Sequence, residues 1–271
     1  MPSGEKEKKL EEIIKELGSI LIAYSGGVDS TYLLYKAREV LGRENIVAVT
    51  AVSETFQTAE LEKASQLAQK MDVVHYQITT NEFASPEFTS NPPERCYYCK
   101  TELYSKLKTM AYKYGVKNIC DGANYEDGGD FRPGLKAAEE LGVRSPLKEA
   151  KLNKDDIRTL SREAGLETWN HPSAACLASR IPYGETITRE KLNMIAAAEG
   201  FLSSLGFRNF RVRCHDSLAR IEVMPTAINH ITTNKEDIIQ EFKKLGFTYI
   251  TVDLQGFRSG SMNENLKQNE G

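Results

Sequence analysis
No apolar stretch in these 271 residues approaches the ~18 residues that a membrane span needs, so no membrane association is expected. The first residues, Met1-Pro2-Ser3-Gly4-Glu5-Lys6, lack the apolar core of a signal peptide, and a cytoplasmic location is expected. Charge of neither sign prevails. Lys and Arg number 35 against 38 Asp and Glu, a formal net charge of −3. That balance supplies no general attraction to nucleic acid, and no nucleic-acid partner is expected. An even set of cysteines is also missing. Five in a chain of this size speak against a disulfide framework and for thiol or metal chemistry. Internal repeats and low-complexity tracts are absent.

The composition that remains, 40% hydrophobic and 27% charged, suits a soluble globular protein of one large or two modest domains. Its most informative segment is Ser25-Gly26-Gly27-Val28-Asp29-Ser30. An apolar run, Ile20 to Tyr24, precedes it and reads as a buried strand; a helical pattern from Thr31 to Leu41 follows. Strand, glycine turn and helix start together form an anion cradle. The glycines admit a phosphate close to the backbone, the serines add hydroxyls, and the first helical turn adds free N–H groups and its dipole. The Walker lysine and the G-x-G-x-x-G of a dinucleotide fold are both lacking, so the expected ligand is a phosphate held in a cradle of another kind.

Strand and helix patterns alternate through the first part of the chain. A helix is expected over Glu5–Leu17, strands over Ile46–Val52, Val73–Ile78 and Asn118–Asp121, and helices over Thr58–Met71 and Lys100–Tyr114, with a loop over Thr79–Glu94. Such alternation predicts an α/β fold, a parallel sheet with helices on both faces and ligands beyond the carboxyl ends of the strands. Near Ile181 the pattern changes. A helix over Arg189–Leu205, strands over Phe210–His215 and Leu218–Val223, a helix over Lys235–Leu245 and a strand over Tyr249–Leu254 suggest a smaller α+β domain of antiparallel character. The expected domains are 1–180 and 181–271, the second for substrate binding or oligomerisation.

Cys96 and Cys99 form a C-x-x-C pair around two tyrosines that suggest a dry pocket, and Cys176 stands far downstream. Two thiolates so spaced converge on one centre, and a third would complete a three-cysteine site. Iron–sulfur clusters usually take four thiolates, so three leave one iron open. Zinc held with His171, a disulfide between Cys96 and Cys99, and three unrelated thiols are the competing readings. Cys120 and Cys214 sit in strand patterns among apolar neighbours and read as core.

S-G-G-x-D-S after the first strand resembles the pyrophosphate-binding loop of the PP-loop ATP pyrophosphatases, which cleave ATP between the α and β phosphates to adenylylate a substrate oxygen. Over nearly its full length the chain is similar to one branch, the LarE sulfur transferases. The specific segments are S-G-G-V-D-S, D-G-A-N-Y-E-D (121–127), F-R-P-G-L-K-A (131–137), C-L-A-S-R-I-P-Y-G (176–184), F-R-V-R (210–213) and G-F-R-S-G (256–260). The resemblance implies adenylylation of a carboxylate of pyridinium-3,5-biscarboxylic acid mononucleotide, then replacement of the activated oxygen by sulfur, in building the nickel-pincer cofactor of lactate racemase. It implies ATP and Mg2+ as cofactors and assembly of copies into a hexamer. For the three-cysteine type it implies a [4Fe–4S] cluster on Cys96, Cys99 and Cys176. In the sacrificial type one cysteine gives up its own sulfur; that cysteine aligns with Ala175 here, leaving Cys176 as the alternative nucleophile.

By the same resemblance Ser25, Gly26, Gly27, Asp29, Ser30 and Gly122 bind the nucleotide, with Asp29 holding Mg2+ and Cys176 and Asp29 catalytic. The substrate's phosphate and carboxylates need cations, and Arg180, Arg211 and Arg213 are the candidates. Arg211 and Arg213 share a strand face. Asp127 reads as a metal or substrate ligand or as solvated, Glu199 and His215 as weaker candidates or surface residues, and Trp169 as core or pocket wall. A PP-loop tRNA thiolase would carry a basic face or RNA-binding appendage, an amidotransferase-type synthetase an ammonia source, and a passive nucleotide sensor no need of the cysteines.

Overall fold
The computed structural model describes residues 2–53, 58–129, 132–171, 176–258 and 260–264. In chain order its elements are α1 (Ser3–Leu17), β1 (Ile20–Ala23), α2 (Val28–Leu41), β2 (Ile46–Val52), α3 (Thr58–Lys70), β3 (Val74–Thr79), α4 (Pro86–Thr89), α5 (Arg95–Lys113) and β4 (Asn118–Cys120). Then follow α6 (Pro133–Glu140), α7 (Pro146–Glu149), α8 (Lys154–Glu163), α9 (Arg189–Ser204), β5 (Arg211–His215), β6 (Leu218–Glu222), α10 (Ile228–Thr233), α11 (Lys235–Lys244) and β7 (Tyr249–Val252). Two compact units result, Met1–Ser85 with Glu94–Ala174, and Pro86–Pro93 with Ala175–Gly271.

In the larger unit four parallel strands lie in the order β3-β2-β1-β4. The apolar run of β1 is buried on both faces, as a central strand of a covered parallel sheet must be. Successive side chains point to opposite faces. Ile20 and Ile22 join the core formed with α1, α2, α3 and α8, while Leu21 joins Tyr104 and Leu107 of α5 and Ala138 of α6 on the other side. The helices therefore cover both faces, as the alternation predicted.

In the smaller unit the sheet order is β5-β6-β7. Its pairing corrects the antiparallel expectation: β5 and β6 are antiparallel, but β6 and β7 are parallel. The connection through α10 and α11 is the reason, because a helical crossover returns the chain in its original direction. Leu192, Ile195, Ala198 and Leu202 of α9, Val212 of β5, Ile221 of β6 and Phe242 of α11 are among its buried apolar residues.

Other boundaries also differ from the sequence reading. Helix α2 begins at Val28 rather than Thr31 and α5 at Arg95 rather than Lys100, so Val28, Asp29 and Ser30 form the first turn of α2 and Cys96 and Cys99 fall in the opening turns of α5. The expected loop at 79–94 contains α4, which belongs to the smaller unit. The units divide at 174/175, against the expected 180/181, because the turn at 177–180 is tied to α9 by Arg180. Among the described residues no helix is long and apolar enough to cross a membrane. Substitution Leu21→Ala, at a fully buried position, is expected to lower unfolding stability by about 2–5 kcal/mol. Tyr112→Ala, at an exposed one, is expected to stay within ~0.5 kcal/mol. Urea titration followed by circular dichroism checks both.

Candidate active site
Strand β1 lies between β2, reached directly, and β4, reached only after β3. The carboxyl ends of β1 and β4 thus flank the topological switch point where open α/β sheets bind ligands. The cradle turns there at Gly26, with φ +73°, and a Cβ on Gly26 would sit 2.8 Å from the Ala64 Cβ of α3. Both conformation and space demand glycine. Gly122, after β4, approaches from the other side: a Cβ would meet the Ser30 nitrogen at 2.9 Å and its Cα at 3.1 Å. Its absent side chain is what lets the β4 loop close against the cradle.

The two serine hydroxyls hold the turn. Ser25 Oγ and Ser30 Oγ are 3.1 Å apart, the Gly27 N–H donates to Ser25 Oγ at 3.4 Å, and the Ser30 hydroxyl donates to the Gly27 carbonyl at 3.3 Å. No side chain caps α2. The first-turn N–H groups, which have no intrahelical acceptor, therefore face the turn with the positive end of the helix dipole. That geometry suits a phosphate.

Asp29 lies in this first turn. Its Oδ2 accepts from Lys154 Nζ, the first residue of α8, and its Oδ1 is buried without a hydrogen-bond partner among the described residues. Burial raises the Asp29 pKa, against the lowering by Lys154; the nearby Asp127 carboxylate raises it further, and the Asn124 side chain, the weakest influence, lowers it. A buried carboxylate oxygen with no partner is costly and fits a cation. Lys154 was missed by the sequence reading. The Asn153-to-Asp156 capping box marks the helix start in the sequence, but nothing local couples it to Asp29.

The loop after β4 is pinned by Asp121, which accepts from the Tyr104 hydroxyl at 2.9 Å, the Ser145 hydroxyl at 2.7 Å and the Ala123 N–H at 3.1 Å. Asp127 is not merely solvated. It accepts from the Asn124 N–H at 2.9 Å and pairs with Arg132 at 2.7 Å.

Cys96 is exposed and Cys99 half-buried in the opening turns of α5, three apart and so on one helix face. The Cys99 thiol donates to Glu82 Oε1 at 3.8 Å, and buried Glu82 also accepts from the Thr80 hydroxyl at 2.9 Å. The expected dry pocket is not built by the tyrosines: Tyr98 is exposed and Tyr97 donates to Glu140 at the surface. Cys176 is exposed and opens a 3₁₀ turn in the smaller unit. Among the described residues all cysteines are free thiols, and no three His, Cys, Asp or Glu side chains are gathered for a metal. Cys120 and Cys214 are buried, which pushes the Cys214 thiol up to about 11 and raises that of Cys120 further. Ala175, Phe131 and Ser259 lie outside the described residues.

The three arginines divide by partner. Arg180, 3% exposed, grips Glu199 through Nε at 2.8 Å and Nη2 at 3.0 Å, and its Nη1 donates to the Cys176 carbonyl at 3.3 Å. Arg213 grips fully buried Glu222 at 3.0 and 2.9 Å and donates to the Ser179 carbonyl at 2.6 Å. Arg211 donates to its neighbour's carbonyl and lies 5.1 Å from the Phe257 ring centroid. Burial, then the charge of Arg180 and that of Arg213, lower its pKa to about 10 against the raising by Glu199 and Glu222. Glu199 is therefore a buried tie rather than a surface residue, and it also accepts from the Val212 N–H at 3.1 Å. Half-buried His215 has its pKa lowered by burial, and its Nε2 is enclosed without a hydrogen-bond partner among the described residues. Trp169 is exposed, with the Arg162 guanidinium 5.7 Å from its ring, so the core reading fails.

Residues 5–114 match the NAD synthase family. An uncharacterized protein of Synechocystis is 44% identical over 96% of this chain and 98% of its own. A subunit of the glutamine-hydrolyzing GMP synthase of Archaeoglobus fulgidus is 27% identical over 71% of this chain and 68% of its own. The pyridinium-3,5-bisthiocarboxylic acid mononucleotide synthase of Lactiplantibacillus plantarum is 41% identical over 96% of this chain and 95% of its own. With the cradle at the switch point of a parallel sheet, that near full-length similarity means that the chain belongs to the pyridinium-3,5-bisthiocarboxylic acid mononucleotide synthase (LarE) family, built on a PP-loop domain.

Proposed function
We propose that this chain is an ATP-dependent sulfur transferase. It adenylylates a carboxylate of pyridinium-3,5-biscarboxylic acid mononucleotide, releases pyrophosphate and converts the carboxylate to a thiocarboxylate for the nickel-pincer cofactor of lactate racemase. The observation that carries the reading is the uncapped α2 N-terminus behind the Gly26 turn at the switch point. A cytoplasmic location and assembly of copies into a hexamer belong to the same reading.

A carboxylate is a poor electrophile, and joining it to AMP supplies a good leaving group. Ser25 to Ser30 hold the departing pyrophosphate through first-turn N–H groups, which need no reorganisation as charge develops. The unpartnered Asp29 Oδ1 fits a divalent cation; Mg2+, when bound there, offsets phosphate charge. Gly122 keeps the β4 loop against the cradle. In the smaller unit Arg211, a half-buried guanidinium on β5, takes the substrate's phosphate. Arg180 and Arg213, committed to Glu199 and Glu222, position it.

Cys96, Cys99 and Cys176 are the proposed holders of a [4Fe–4S] cluster, which when bound supplies the sulfide. The same-face C-x-x-C and the exposure of Cys96 and Cys176 support this. Exposure of Cys176 and anchoring of its carbonyl by Ser179 and Arg180 also favour a second reading. There its sulfur attacks the adenylate, expelling AMP, and the Cβ–S bond then breaks by elimination to leave dehydroalanine.

Anaerobically purified protein is expected to contain about four irons and matching acid-labile sulfide per chain, both lost in Cys176→Ala. Neither iron nor zinc, with the chain lighter by one hydrogen sulfide after turnover, would instead establish the sacrificial route; zinc alone would make the cysteines structural. AMP formation dependent on the substrate tests the activation step in either case. Arg211→Met is expected to weaken substrate binding about tenfold or more while the chain stays folded. Arg213→Met removes both guanidinium bonds to Glu222 and leaves it Arg220 at 3.0 Å; it is expected to lower stability by about 1–3 kcal/mol. Thermal unfolding beside calorimetric titration separates the two.

A further inference from the structure
Helix α8 brings a charge to the cradle. Its N-cap Asn153 accepts from the Asp156 N–H at 2.8 Å, and Asp156 accepts in return from the Asn153 N–H at 3.1 Å. With those donors used, what the helix start offers is the ammonium of Lys154, which sits on Asp29 Oδ2. The side chains of Lys154 and Asp29 are 23% and 21% exposed, so the pair is shielded but reachable from solvent. It leaves the Asp29 carboxylate incompletely satisfied: Oδ2 holds an ammonium, Oδ1 is enclosed with no hydrogen-bond partner at normal distance among the described residues, and the Asn124 side chain nearby eases the carboxylate only weakly.

Such a carboxylate is shared by competing cations. A divalent ion taking Oδ1 withdraws negative charge from Oδ2 and loosens Lys154. A phosphate chain in the turn of Ser25 to Ser30 offers that ammonium a new and more negative partner. A lysine on a long flexible stem can make the exchange by rotating, without moving α8.

We propose that Lys154 is a stand-in counter-ion. In the nucleotide-free protein it neutralises Asp29, and when a metal–ATP complex enters it gives up Asp29 to the metal and turns to the nucleotide's phosphates. This rests on the reading of the cradle as an ATP site. Lys154 then has two opposite effects on affinity. It competes with a metal that arrives alone, and it assists a metal that arrives with ATP. A lysine that merely fastened α8 to α2 would have neither.

The experiment uses the full-length chain and Lys154→Met, with Lys154→Arg as the charge-keeping control. Free Mn2+ is measured by electron paramagnetic resonance at pH 8 without nucleotide, and ATP binding in Mg2+ by calorimetry. Relative to the parent, Lys154→Met is expected to bind Mn2+ alone several-fold more tightly and ATP about tenfold more weakly; Lys154→Arg recovers most of the ATP affinity. Equal ATP affinity in parent and Lys154→Met overturns the proposal, as does Mn2+ affinity that stays level or falls with matching circular dichroism. A parent chain that binds no ATP in Mg2+ overturns the ATP reading itself, and the role of Lys154 with it.

Discussion
The cradle depends on one close approach, backbone to backbone, between Gly122 and Ser30. Any Cβ at 122 would collide with the Ser30 nitrogen and Cα, and these cannot yield without unwinding the first turn of α2. The approach is what completes the site, because the turn after β1 and the loop after β4 come from opposite sides of the switch point. It brings Asp127 within electrostatic reach of Asp29, and the three hydrogen bonds to Asp121 keep the loop there. Gly26 closes the third side against Ala64 of α3. Glycine is needed at these places for space, and at 26 for conformation as well.

Buried charge is handled in two ways. Glu199 and Glu222 in the smaller unit are gripped by guanidinium forks through both oxygens, and Glu199 takes a backbone N–H as well. These carboxylates are satisfied, so their pairs hold structure. Removing Arg180 would leave Glu199 an uncompensated charge, which costs more than the pair contributes, whereas Glu222 would keep Arg220 at 3.0 Å. Asp29 differs: its Oδ2 holds Lys154, while its Oδ1 has no hydrogen-bond partner among the described residues. That oxygen carries a residual cost that a cation would relieve.

Much of the architecture was legible because periodicity survives any tertiary context. The run at 20–24, the alternation at 218–223 and the helical spacing at 189–205 all sit in elements of the expected type. Helix α5 started earlier than read, since the tyrosines and cysteines at 96–99 have modest helix propensity and follow Pro92 and Pro93. The segment carrying α6, α7 and α8 was not read at all. Helices α6 and α7 are too short for a period to develop, but in α8 the capping box at 153–156 and the apolar Ile157 and Leu160 were usable signals. The parallel pairing of β7 followed from the crossover helices rather than from any property of the strand.

By itself the sequence determined the fold class, the glycine turn between the first strand and its helix, the C-x-x-C spacing of two thiols and the burial of Cys120 and Cys214. Each of these is local, set by residue type and spacing along a single element. Only the tertiary structure decided that Arg180 and Arg213 are held by glutamates, that Gly122 serves a close approach, and that Lys154 sits on Asp29. Those facts join residues far apart in the chain or on neighbouring strands. A charge's partner is set by three-dimensional proximity and by how much water is excluded, and neither is written in local spacing.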